Sequence, residues 1–178
     1  MMRRFVAFFC PLLILAVLSG RYFAGALTVR SGVRLLLAAS VQETGKDSFS
    51  DFVRLRYDNF IPVRSLSEEK GTIVVERLDD GRARFVSALF DRPLRPRELL
   101  LKYVIVPPAP FDTKAKGPDI RFSSDVLRFS ETNAFRPSAV RYAVVSVNNA
   151  GGAVLIGLAD NNGVLLIKGL IPSIFHTP

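Results

Sequence analysis

Short apolar runs separated by turn-forming residues constrain the fold of this chain more than any other feature. Within Phe52–Tyr57 (FVRLRY) apolar residues alternate with arginines, and this period of two places successive side chains on opposite faces of a strand. Asp80-Gly81 separates two further runs and suits a tight hairpin turn, because glycine readily takes a positive φ. About eight or nine such runs without a long helical period predict an all-β fold, an antiparallel sandwich or barrel.

The predicted β-rich domain covers residues 33–172 and has its strands wherever an apolar run lies between turn signals. A loop is expected at Pro107–Pro118, which is rich in proline, lysine and aspartate, and a polar connection at Glu131–Ser138. The predicted strands are Val33–Val41, Phe52–Tyr57, Thr72–Leu78, Arg82–Phe90, Arg97–Val106, one or two within Ile120–Phe129, Val140–Val147, Ala153–Leu158 and Val164–Ile171.

One N-terminal transmembrane or signal helix is expected before this domain, within residues 1–29. The run Phe5–Leu18 carries no charge, but it is shorter than the roughly 20 residues that span a bilayer. Tyr22–Val29 is also apolar and extends it, so residues 5–29 are predicted to contact the membrane. The alternative is a signal peptide cleaved near Ala26. We favour a retained single-pass anchor with the domain outside the cytoplasm, and we expect residues 173–178 to form a disordered tail.

The residues that common catalytic and metal sites require are scarce in this chain. Cys10 is the only cysteine and His176 the only histidine, so neither a disulfide in the domain nor a zinc or Ser-His site is expected. We therefore predict no metal, no cofactor and no enzymatic activity. The alternative is a carboxylate-dependent hydrolase of envelope glycans, which needs two carboxyl groups facing each other. The acids considered for this are Glu68-Glu69 and Asp79-Asp80, which suit exposed loops, and Asp51, Asp125 and Glu131, which could converge in space.

The formal net charge of +8 at pH 7 favours anionic partners such as lipid headgroups or acidic glycans. Five arginines form a candidate binding surface for such a partner, although a solvated strand face is the simpler interpretation and the one we favour. Nucleic acid is not expected, because no stacking aromatic motif accompanies these charges. The five residues are Arg82, Arg84, Arg92, Arg95 and Arg97.

The segment Ser50–Tyr57 (SDFVRLRY) resembles the signature of the GDYXXLXY family of small bacterial membrane-anchored proteins. Asp51, Leu55 and Tyr57 match the signature, whereas Ser50 replaces its glycine and Phe52 its first tyrosine. Three further segments are similar in order and spacing, and they are Thr72–Val86, Arg121–Glu131 and Arg141–Gly163. The chain departs from the family at Glu43–Phe49, where a Pro-Asp-Pro-Arg-like stretch is usual.

The resemblance implies a bacterial inner-membrane protein with an outer-face β-domain, periplasmic or extracellular, and a polytopic membrane protein as its partner. It carries over no catalytic residue. From the residues themselves, Leu55 and Tyr57 are expected to face the core, while Asp51 could accept backbone hydrogen bonds in the preceding turn. Asp51, Phe52, Leu55 and Tyr57 are thus candidate binding residues with a structural role. The function we predict is a non-enzymatic accessory or assembly module.

Overall fold

Strands account for most of the ordered elements in the computed structural model of the chain. The structure describes residues 20, 25–46, 51–57, 60–61, 66, 68–88, 92–107, 118–123, 125–129 and 136–169. Residues 25–31 are helical, and a single 3-10 turn covers Pro137–Ala139. The strands are β1 (Val33–Ala38), β2 (Ser40–Lys46), β3 (Asp51–Arg56), β4 (Lys70–Arg77), β5 (Ala83–Ser87), β6 (Glu98–Val106), β7 (Asp119–Arg121), β8 (Val126–Phe129), β9 (Tyr142–Val147), β10 (Ala153–Ala159) and β11 (Leu165–Lys168).

Three antiparallel sheets are formed by these eleven strands. Sheet A has the strand order β1-β9-β10-β11, sheet B the order β2-β3-β8, and sheet C the order β5-β4-β6-β7. The mostly β, antiparallel fold predicted from the apolar runs is therefore confirmed for the described part of the chain.

Single residues and short corners join the three sheets. Ala39 interrupts the first strand, so that β1 belongs to sheet A and β2 to sheet B. The corner at residues 122–125 separates β7 in sheet C from β8 in sheet B. Sheets A and C are linked directly, because the Leu36 amide donates a hydrogen bond to the Gly81 carbonyl at 2.9 Å.

One apolar core lies between the sheets and receives side chains from all of them. Leu35 of β1, Leu55 of β3 and Leu101 of β6 are each fully buried. In β3, Val53 and Leu55 are buried while Arg54 and Arg56 are half-buried, as the alternation in the sequence predicts. The core therefore depends on the same period-two pattern that identified the strands.

The hairpin turns follow the predicted glycine chemistry. Gly81, Gly151 and Gly163 have φ values of 81°, 81° and 77°, a region that residues with a Cβ rarely enter. Gly81 closes the β4–β5 hairpin predicted from Asp80-Gly81. The other two lie in the turns that join β9 to β10 and β10 to β11.

The observed strands differ from the predicted ones most clearly at β1 and β2. The predicted strand Val33–Val41 is divided at Ala39, and its continuation β2 extends to Lys46, into the segment Glu43–Phe49 that was not predicted as a strand. At Ile120–Phe129, where one or two strands were predicted, two are present: β7, which begins one residue earlier at Asp119, and β8. The described residues therefore form eleven strands, where about eight or nine were expected.

The predicted membrane segment lies largely outside the described residues, which include only residues 20 and 25–29 of the range 1–29. Phe5–Leu18 and the tail at 173–178 are not among them. None of the helices in the described ranges has the length and apolar character needed to cross a membrane.

Candidate functional site

The signature residues lie on β3, the central strand of sheet B, and at Tyr57 directly after it. Leu55 and Tyr57 are fully buried, and the Tyr57 ring meets the Phe122 ring edge-on with centroids 5.4 Å apart. Asp51 and Phe52 are half-buried at the start of the strand. The predicted turn contacts of Asp51 involve residues 47–50, which are outside the described ranges. Burial of Leu55 and Tyr57 gives the signature a role in core packing.

The second similar segment, Arg121–Glu131, lies directly beside the signature strand. β3 pairs with β8 in antiparallel register, and the Leu55 amide donates a 2.7 Å hydrogen bond to the Asp125 carbonyl at the corner before β8. Two segments that are about 70 residues apart in sequence therefore form one structural unit. Glu131 lies outside the described residues.

Charged side chains from β3, β7 and the corner form a cluster, which we call the corner cluster. It consists of Arg54, Arg56, Tyr57, Asp119, Arg121, Ser123 and Asp125. The Asp125 carboxylate lies 3.2 Å from an Arg121 guanidinium nitrogen and 3.9 Å from Arg54. Asp125 is only 6% exposed, so the arginines compensate the cost of burying its charge.

Burial perturbs two acidic groups in the corner cluster. Burial raises the pKa of the Tyr57 phenol, the Ser123 hydroxyl lowers it, and the carboxylates of Asp125 and Asp119 raise it further. Tyr57 therefore stays protonated at neutral pH. Burial also raises the pKa of Asp119, although the guanidiniums of Arg56 and Arg121 act in the opposite direction. The Oδ1 atom of Asp119 is buried and accepts no hydrogen bond from the described residues.

The corner cluster contains two carboxylates, Asp125, which was a candidate from the sequence, and Asp119, which was not. Asp125 was a candidate, and the charge on this residue helps raise the pKa of Asp119. Asp51 does not join them, since Asp125 lies opposite Leu55, four residues and roughly 13 Å further along the strand. In β7, Asp119 is half-buried and the next residue, Ile120, is buried. Asp119 was not predicted as a strand residue because it directly follows the predicted loop Pro107–Pro118.

Four of the five arginines of the predicted anionic-partner surface are paired with carboxylates. Arg84 donates to Glu76, with its Nε 3.2 Å from the carboxylate, and Arg97 donates to Asp79 at 2.6 Å. Such pairing reduces the positive potential that a phosphate or sulfate would meet. The third pair is Arg82 with Asp80, at 3.1 Å.

The fourth pair, Arg92 with Glu98, is the most buried. Both carboxylate oxygens of Glu98 accept from Arg92 at 2.7 Å, and the Arg95 amide adds a bond of 2.8 Å. These hydrogen bonds lower the pKa of Glu98 from 4.5 to about 2. Among the described residues, the Arg95 side chain forms no hydrogen bond or salt bridge, and it lines a groove of about 450 Å³.

The other sequence-predicted acids are distributed over the surface. Glu68 and Glu69 are exposed at the start of β4, and Asp79 and Asp80 are exposed in the β4–β5 turn. They therefore do not form the facing pair that glycan hydrolysis requires. No group of three or more potential metal ligands is present within the described residues.

A docked helix, which no sequence motif indicated, joins the N-terminal segment to the domain. The Ser146 hydroxyl donates to the Thr28 carbonyl at 2.6 Å, and the Asn148 amide donates to the Thr28 hydroxyl at 3.1 Å. Thr28 is 5% exposed and Ser146 is fully buried. Gly32 permits this contact, since a Cβ there would lie 2.4 Å from both the Ser146 hydroxyl and the Thr28 carbonyl.

These contacts define what we call the helix joint, formed by Thr28, Gly32, Ser146 and Asn148. A buried hydroxyl–carbonyl bond and a tight backbone approach hold the helix against the end of β9. The helix is thereby fixed to the sheet rather than separated from it by a linker.

Comparison of the chain with models of known protein families, with curated proteins and with solved structures yields no significant match to any of them.

Proposed function

We propose that this chain is a membrane-anchored, non-enzymatic β-domain that acts as an accessory or assembly module for a polytopic membrane partner. The observation that carries this proposal is the helix joint. Thr28 and Ser146 connect the helix to sheet A through a buried hydrogen bond. β1 begins at Val33, directly after Gly32. A domain held so closely would have a fixed position relative to its anchor, as a docking module requires.

The anchor itself is proposed to occupy residues 5–29 in the bacterial inner membrane, with the domain on the periplasmic or extracellular side. The uncharged run from Phe5 and the resemblance of Ser50–Tyr57 to the GDYXXLXY signature support this arrangement. Cleavage near Ala26 is the alternative, and it would release a chain that still contains Thr28. The enclosure of one core by three sheets is compatible with the predicted sandwich or barrel.

Affinity purification of the native protein in mild detergent, followed by mass spectrometry, tests the assembly role. We expect a polytopic membrane protein in stoichiometric amount. Gly32→Ala should reduce its recovery, because the added Cβ displaces the helix from the joint. Gly20→Ala is the matched control, since a Cβ at this position meets no atom of the described residues within 4 Å. Elution of the wild-type chain without any partner would contradict the proposal.

A carboxylate-dependent hydrolase of envelope glycans is the second candidate, and the corner cluster is the observation that favours it. Burial raises the pKa of Asp119 beside Asp125, which lies among arginines. Different environments for two nearby carboxyls are typical of acid–base pairs.

The hydrolase candidate is tested by incubating the purified protein with envelope glycan and measuring release of soluble fragments. If the protein is a hydrolase, the wild type should release soluble fragments, whereas Asp119→Asn and Asp125→Asn should each release none. Glu68→Gln is the control, because Glu68 is exposed. The accessory role predicts no release by any of these proteins.

A further inference from the structure

The outer face of sheet A carries both apolar and basic residues close to the helix joint. Alternation places Leu35 in the core, so its neighbour Arg34 points outward, in register with Ser146 of β9. Ser146 is paired in turn with Val154 of β10. Because Ser146 bonds to Thr28, the helix lies against this same outer face.

Exposed apolar side chains are present on the helix and at the start of β11. Leu165 of β11 lies over Gly157, with its Cδ1 2.7 Å from the position of a Cβ there, and it remains 50% exposed. Leu27 of the helix is 62% exposed and Val164 is 60% exposed. These residues are three of the five large apolar side chains that are exposed in the described part of the chain.

Three basic residues on and beside this face differ from Arg84, Arg92 and Arg97 in having no carboxylate partner within the described residues, whereas Arg82, which lies over the Tyr142 ring of β9, is paired with Asp80. Arg30 of the helix, Arg34 of β1 and Lys168 of β11 are exposed, and none of them forms an ion pair within the described ranges. The one acidic residue in the adjoining turn, Asp160, accepts hydrogen bonds from the amides of Asn162 and Val164. Positive charge is therefore available here for phosphate groups, whereas Arg84, Arg92 and Arg97 are neutralised.

We propose that the outer face of sheet A, together with the helix, rests on the headgroup layer of an anionic bilayer. Leu27, Val164 and Leu165 enter the interface, while Arg30, Arg34 and Lys168 bind lipid phosphates. This inference depends on the proposed membrane anchor. It assigns the binding of anionic lipid to sheet A instead of to the five arginines between Arg82 and Arg97. Charge complementarity with an anionic lipid and the exposed apolar side chains identify the bilayer as the partner.

Tryptophan fluorescence tests the orientation directly, because the chain contains no tryptophan. The full chain is reconstituted in vesicles of phosphatidylcholine and phosphatidylglycerol that contain brominated lipid, which quenches tryptophan at the interface. The probe is Leu165→Trp, and Lys168→Trp on the same strand replaces it if the first variant does not fold. Val86→Trp on sheet C is the matched control, since Val86 is also exposed, at 37%.

We expect strong quenching at position 165 and little at position 86. Arg30→Glu combined with Arg34→Glu should reduce the quenching at 165 by about twofold or more, because the attraction to anionic lipid is lost. Arg84→Glu combined with Arg97→Glu should leave it unchanged. Equal quenching at 165 and 86, or an effect only from the sheet C variants, would overturn this inference.

Co-flotation of the full chain with the vesicles separates this inference from the proposed function. A chain that floats but shows no preferential quenching at position 165 retains its anchor, and only the orientation is wrong. A chain that does not float has no anchor. In that case both the proposed function and the inference are wrong.

Discussion

The Glu98 carboxylate combines burial with three hydrogen bonds, and these bonds hold its pKa at about 2. In the unfolded chain the pKa returns to about 4.5, so the folded state binds fewer protons. The stability that Glu98 contributes is therefore fully present above pH 4.5 and is lost as the pH falls toward 2.

We predict that Glu98→Gln lowers the free energy of unfolding at pH 7 and flattens its decline between about pH 4.5 and 2. The reason is that a neutral amide forms weaker hydrogen bonds with Arg92 than a carboxylate does. Urea denaturation at a series of pH values measures the effect. Asp79→Asn is the control, because the Asp79 side chain is 88% exposed. A pH profile identical to that of the wild type would contradict this role for Glu98.

The contribution of Asp119 to stability should depend on pH in the opposite direction. Burial raises its pKa, so the folded state binds a proton more readily than the unfolded chain and gains stability as the pH falls through the ordinary range of a carboxyl group. Asp119→Asn should remove this gain and increase stability at pH 7, since the buried Oδ1 accepts no hydrogen bond within the described part of the chain. NMR titration of the Asp119 carboxyl carbon checks the sign, and a pKa below its ordinary value would refute the prediction.

At the scale of elements, the helix joint depends on Gly32. A Cβ at this position would lie 2.9 Å from the Val147 carbonyl oxygen and 2.4 Å from the Thr28 carbonyl oxygen, and both are backbone atoms that cannot rotate away. Gly32→Ala should therefore destabilise the domain by about 2 kcal/mol. Thermal and urea unfolding measure the loss, with Gly20→Ala as a control that should cost little.

Hydrogen exchange distinguishes local detachment of the helix from general destabilisation. Ser146→Ala removes the donor to the Thr28 carbonyl and should cost about 1 kcal/mol. The exchange of the Gly32 amide, which bonds to Thr28, should accelerate far more than that of amides in β6. Uniform acceleration across both regions would show that the joint is not a separate unit.

The strands were predictable to different degrees, for reasons visible at single residues. The alternation around Val53 and Leu55 and the turn at Gly81 depend only on neighbouring residues, and both were predicted. The division at Ala39 was not, because Leu35–Ala39 is continuously apolar and periodicity contains no sign of a change of sheet. β2 was missed since its residues 42–44 are polar and exposed.

At the scale of the whole molecule, the candidate sites depend on which strands become neighbours. The pairing of Arg84 with Glu76 follows from the hairpin at Gly81, so it could have been derived from the sequence. The approach of Asp125 to Arg54 requires β3 and β8 to be adjacent, and the contact of Thr28 with Ser146 joins residues 118 positions apart. Local sequence patterns do not determine such long-range pairings.

Above all, we propose that a retained N-terminal anchor holds the β-domain on the outside of the membrane. Mass spectrometry of the membrane fraction, before and after protease treatment of intact spheroplasts, tests it most directly. We predict the full-length chain before treatment and, afterwards, only an N-terminal fragment that includes the run from Phe5. A mature chain that begins at Leu27, or a domain that is digested only after lysis of the spheroplasts, would contradict the claim.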